Sequence, residues 1–175
     1  MLTPKIADKN YDWVYELEAR SETDLIVIHH SGIGIDKDLS ADEIHRSHVA
    51  QGYCGIGYHF VVRKSGYIER GRPIWAIGAH TYGENFHSVG IHLSGDFMKN
   101  FPTQNQIEMT AWLIAFIADS YNINIDKNHV CGHCDFNATD CPGTNLYSLL
   151  DTIRGKANFY RFSLPETCPT CGHNL

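Results

Sequence analysis

Runs of one charge are missing from this sequence. Fourteen basic residues stand against 20 acidic ones, for a formal charge of −6, and no lysine or arginine cluster interrupts them. A nucleic acid or other polyanion is therefore not the expected partner. Long apolar runs are missing too. None approaches the length needed to span a bilayer, so no membrane insertion is expected. Met1 to Asn10 holds no apolar segment of the kind found in secretion leaders. The expectation is a chain made in the cytoplasm; if its substrate lies beyond the membrane, something else must let it out. Internal repeats are also absent, which sets aside repeat architectures.

What is present suits a packed domain. The chain has 175 residues, 43% of them apolar and 19% charged. That is enough for one full hydrophobic core with a short appendage. Residues 1–24, with Tyr11, Trp13, Val14, Tyr15 and Leu17 among charges, read as a loosely amphipathic lead-in that packs on the domain. Leu25-Ile-Val-Ile-His29 is an apolar, β-branched run, a buried strand ending in two histidines and a Ser-Gly turn. Ser40 followed by Glu43 forms a capping-box pattern and predicts a helix over about 41–51, closed by Gly52. Residues 55–63 and 67–70 flank Lys64-Ser-Gly66 as a hairpin, and residues 88–94 form a further strand. Residues 78–88 make a loop rich in Gly, His and Asn, the composition of loops that carry function. Apolar residues at helical spacing predict a helix over 103–121, and a strand near 129–133 and a short helix over 146–153 follow. The irregular alternation of strands and helices predicts an α/β fold with a central mixed sheet flanked by helices.

Six cysteines and eleven histidines are unevenly placed. In a chain without a secretion leader, cysteines read first as thiols or metal ligands. Two places far apart in sequence concentrate them: His29-His30 at the strand end, and His129-Val-Cys-Gly-His133-Cys through Cys141-Pro. His29, His133 and Cys141 together would make a three-ligand zinc site with one open position, the pattern of a catalytic metal. His30 competes with His29, because adjacent strand residues face opposite ways and only one can reach the metal. Separately, each residue has a plain explanation as a satisfied core histidine or a small buried thiol.

The words around these residues resemble those of the zinc-dependent N-acetylmuramoyl-L-alanine amidases, the family of phage lysozyme-amidases and peptidoglycan recognition proteins. They are Val27-Ile-His29-His30-Ser31, Gly57-Tyr58-His59-Phe60, Gly78-Ala-His80 through Asn85 to Ile91, Gly95-Asp-Phe97, and Gly132-His133 with Cys141-Pro-Gly143. They fall in the family's order and cover about residues 24–155. The resemblance implies zinc ligands at His29, His133 and Cys141. It implies a tyrosine, Tyr58, that steadies the attacked carbonyl oxygen, and a hydroxyl, Thr139, in a position that is lysine in some phage amidases. It matches His80 and Asn85 to residues lining the glycan-peptide groove, with substrate contact the favoured role for His80. The implied reaction is hydrolysis of the amide joining muramic acid to L-alanine in peptidoglycan. A related branch that recycles wall fragments carries Asp where Cys141 stands, so the cysteine favours the lysozyme-amidase and recognition-protein branch. No motif assigns a general base.

The resulting expectation is an amidase domain over residues 1–160 and a tail over 161–175. It would act on the cell wall as a phage-type endolysin after release through a membrane pore. The rival readings are a muropeptide-binding module without hydrolysis and a cytoplasmic wall-recycling enzyme. Cys131 and Cys134 flank His133 outside the family pattern. The tail's Cys168-Pro-Thr-Cys171-Gly-His173 has the spacing of one zinc-ribbon knuckle, half of a second, structural zinc site.

Overall fold

The computed structural model describes residue 4 and residues 6–162. Its centre is a six-stranded mixed sheet in the order β1-β4-β3-β5-β2-β6. The strands are β1 (Ile6–Ala7), β2 (Leu25–His30), β3 (Phe60–Val62), β4 (Ile68–Arg70), β5 (Ser88–Leu93) and β6 (Val130–Gly132). Only β3 and β4 run antiparallel, as the hairpin predicts; the other neighbouring strands are parallel. Strands buried on both faces read as continuous apolar runs, which is why β2 carries Leu-Ile-Val-Ile without polar alternation.

Alternation along β2 splits the molecule into two sides. Ile26 and Ile28 join Phe60, Val62, Val89, Ile91 and Leu93 in the main core. Helices α2 (Gln104–Ser120) and α4 (Leu150–Arg161) cover that core. Leu25, Val27 and His29 face the other way, where Leu25 and Val27 pack with Cys131 and Phe136. Helix α1 (Ala41–Ala50) covers another part of this second side, with Ala41 and Ile44 against Ile56 and Val61.

The helix starts follow from side-chain caps. Ser40 accepts the Glu43 N–H while Glu43 takes the Ser40 N–H, and Thr103 and Gln106 repeat the device for α2. Two expectations need correction. The predicted strand over 55–63 narrows to Phe60–Val62, because residues 56–58 spend their backbone groups elsewhere. Ile56 and Gly57 donate to the ring nitrogens of His45 and His48, and Gly57 and Tyr58 accept from Ala79 and Arg72. The helix expected over 146–153 is two pieces, α3 (Thr144–Tyr147) and α4, the latter running on to Arg161. Gly155 does not end it, since Leu150, Ile153 and Ala157 keep burying apolar surface with α2 in the same core.

The lead-in after β1 is irregular chain tied down by Arg20. Its guanidinium donates to the carbonyls of Ile74, Ala76 and Ser88, and Ala19 bridges Ala76.

Candidate metal centre

His29 is the fifth residue of β2 and is almost fully buried. Its partners in register are His92 on β5 and, one strand further, Val61 on β3. His133 opens a single 3-10 turn immediately after β6, the strand on the other side of β2. Cys141 lies beyond that turn, its carbonyl accepting the Cys134 N–H at 2.8 Å. The two loops therefore converge on the end of β2.

One donor atom from each of His29, His133 and Cys141 lies within 4.8 Å of the other two. His29 Nδ1 stands 3.6 Å from Cys141 Sγ. Zinc bonded tetrahedrally to nitrogen and sulfur holds such atoms roughly 3.5 Å apart. The far ring nitrogens are already engaged. His29 Nε2 is 3.0 Å from His80 Nδ1 and 3.3 Å from Thr81 Oγ1, and His133 Nε2 is 3.0 Å from Asn137 Oδ1. That leaves the Nδ1 atoms to ligate. Partners of this kind fix a ligand's tautomer and ring angle.

The electrostatics suit a cation. Burial pushes the His29 ring far below its ordinary pKa, with His80 and His133 nearby adding to the shift, and burial also lowers His133. Both rings are neutral at pH 7 with lone pairs open to a metal. Burial lifts the Cys141 thiol to about 12, against the opposing pull of the His30 backbone N–H. Ligation must therefore displace a proton from the sulfur.

His30 takes the opposite face, as alternation requires. Its Nδ1 accepts the Phe97 N–H at 3.2 Å, and its own backbone N–H points at Cys141 Sγ at 3.4 Å. Of the two histidines, His29 is the one grouped with His133 and Cys141. Tyr58 is half-buried, its ring 5.0 Å from that of His29 and 4.9 Å from that of His92. Burial raises its phenol well above the ordinary value, so it stays a proton donor. Thr139 is exposed, and its Oγ1 accepts the Cys141 N–H at 3.2 Å.

The structure gives His80 and Asn85 specific neighbours. His80 is buried behind His29, and its ring fills the space left by Gly78 and Gly90; a Cβ at either glycine would come within 2.6 Å of it. Asn85 Oδ1 accepts the backbone N–H groups of His80 and Thr81, at 2.7 and 2.9 Å, and so holds the turn that carries them. Thr81 and Asn137 went unnoticed in the sequence. Asn137 had one signal, since it follows the ligand His133 by four residues and comes back beside it through the 3-10 turn.

A cleft of about 620 Å³ opens beside the ligands, lined by Tyr58, His92, Ser47, His48, Gln51 and Lys37 among others. Cys131 is buried with its thiol on the Lys127 carbonyl, and Cys134 is exposed. Among the described residues neither joins a metal-binding group. The knuckle at Cys168 and Cys171 lies outside the described residues.

A family model for N-acetylmuramoyl-L-alanine amidase matches residues 19–144. Peptidoglycan-recognition protein LE of Drosophila melanogaster is 38% identical over 103 residues, which are 59% of this chain but only 30% of that protein. The endolysin of Escherichia phage T7 is 30% identical over 109 residues, 59% of this chain and 72% of the relative. Among solved structures, the N-acetylmuramoyl-L-alanine amidase LysC from Clostridium intestinale has a TM-score of 0.80 at 35% identity, covering 89% of this chain and 99% of its own. With these matches beside the converging donors of His29, His133 and Cys141, the chain belongs to the N-acetylmuramoyl-L-alanine amidase family.

Proposed function

We propose that this amidase is zinc-dependent, with His29 Nδ1, His133 Nδ1 and Cys141 Sγ as ligands, and that Tyr58 and Thr139 assist the reaction. The observation that carries the reading is the convergence of those three donors, with both imidazoles oriented by engaged Nε2 atoms, and with Tyr58 standing between His29 and an open cleft. The bond cut is the amide between the lactyl group of N-acetylmuramic acid and the L-alanine of the stem peptide in peptidoglycan.

When bound, zinc supplies Lewis acidity toward a carbonyl and a lowered pKa for a water ligand. The chain does the rest. The Tyr58 phenol, held protonated by burial, donates to the amide carbonyl oxygen as charge develops on it. Thr139 Oγ1 already accepts from the Cys141 N–H, so its own proton is free to point outward at the rim. The neighbouring cleft receives one side of the substrate, and its wall of Tyr58, His30, His92 and α1 residues keeps the reacting amide in a fixed orientation.

The site of action in this reading is the cell wall, reached through a membrane pore as for a phage endolysin. Several relatives bear that name, and this chain spans 72% to 89% of their lengths. No helix among the described residues is long and apolar enough to cross a membrane. Residues 1–160 form the amidase domain in this reading and 161–175 an appended tail.

Metal content and hydrolysis test it together. Wild-type protein should hold one zinc per chain and release free stem peptides from purified sacculi, and Cys141→Ala should lose both. Zinc without hydrolysis would point to a muropeptide-binding module. No zinc at all would overturn the reading.

A further inference from the structure

We propose that Tyr82 is a stacking platform for a sugar ring of the glycan strand, an inference that rests on the amidase reading above. The strand order β3-β5-β2-β6 sets the geometry. The cleft lies on the β3 and β5 side of His29, between Tyr58, His92 and the α1 residues Ser47 and His48. Tyr82 lies toward β6. Its carbonyl accepts from Asn137 Nδ2 at 3.2 Å, and Asn137 Oδ1 in turn is 3.0 Å from His133 Nε2. A scissile amide centred on the ligands must send its two substituents in opposite directions, one into the cleft and one past His133 and Tyr82.

The two sides differ in chemistry. The cleft offers His48, Gln51, Lys37 and Glu43, charged and hydrogen-bonding partners for the amides and charged groups of a peptide. The other side presents an aromatic ring that is 89% exposed. A pyranose has one face of C–H bonds that packs on such a ring while its hydroxyls stay in water. The ring is carried by a backbone that is already fixed. Asn85 Oδ1 holds the N–H groups on one side of it, and Ser88 Oγ donates to the Glu84 carbonyl at 2.7 Å on the other. Binding then orders little chain, so most of the contact energy survives as affinity.

The test is titration of the whole protein with peptide-free glycan strands, which reports binding apart from hydrolysis. Tyr82→Ala should weaken that binding about tenfold, the effect of losing one stacked ring. Tyr82→Trp should restore it. Phe162→Ala removes another highly exposed ring, at the far end of α4, and should change nothing. On sacculi, Tyr82→Ala should raise KM in the same proportion and spare kcat. Glycan binding by Tyr82→Ala equal to wild type, no glycan binding by wild type, or an equal loss in Phe162→Ala would each overturn the proposal. Stem-peptide release by the wild type is read separately. Strands bound through Tyr82 without any release would sink the amidase reading and leave this inference standing.

Discussion

His80→Ala is the substitution that most directly probes how the ligands are held. The His29 Nε2 atom has two neighbours, His80 Nδ1 at 3.0 Å and Thr81 Oγ1 at 3.3 Å. In the proposed zinc site His29 Nδ1 would hold the metal, so Nε2 carries the proton and must donate it within a buried pocket. Removing His80 leaves the longer contact alone and frees the imidazole to tilt. Loss of such a supporting partner weakens metal affinity by about 10- to 100-fold, or roughly 1.4–2.8 kcal/mol. The retained Thr81 contact puts the expectation near the lower end of that range. A chelator-competition titration measures it, and His80→Gln, which keeps an acceptor near the same place, should recover part of the loss. Thermal unfolding of metal-free protein separates this effect from the cavity left against Gly78 and Gly90. Zinc affinity in His80→Ala within twofold of wild type would refute the argument.

Other consequences are as specific. Gly57→Ala would put a Cβ 2.0 Å from the Ala79 carbonyl oxygen, which is backbone and cannot swing away; it should destabilise by about 3 kcal/mol in urea unfolding. Phe60→Ala empties a fully buried site in the main core and should cost about 3–5 kcal/mol by the same measurement. His87 contributes a pH dependence. Burial opposes its charged form, but hydrogen bonds to Asp24 and Glu84 outweigh burial and raise its pKa. A raised histidine stabilises fully below its ordinary pKa of about 6.5, and the contribution fades as pH rises through the higher folded value. Unfolding of wild type and His87→Ala across that window should converge toward its alkaline end, and parallel curves would count against the assignment.

Much of the fold was legible because its signals are local. A capping box needs only Ser40 and Glu43, or Thr103 and Gln106, and both helices begin where those pairs put them. A buried parallel strand reads as an apolar run, and β2 did. The errors arose where backbone groups are taken by distant partners. Residues 56–58 look like strand but serve His45, His48, Ala79 and Arg72 instead, and the last helix runs past Ile153 because α2 is there to pack against.

By itself the sequence determined the candidate donor types, their order along the chain and the family words around them, because side-chain chemistry and short-range pattern are written residue by residue. Only the tertiary structure decided which way they point. The pleat of β2, with α2 and α4 packed on one side, turns His29 toward His133 and Cys141 and leaves His30 to hold Phe97. Close packing of the 78–88 loop over Gly90 sets His80 behind His29. Those outcomes depend on contacts between segments 50 to 110 residues apart, which no local pattern encodes.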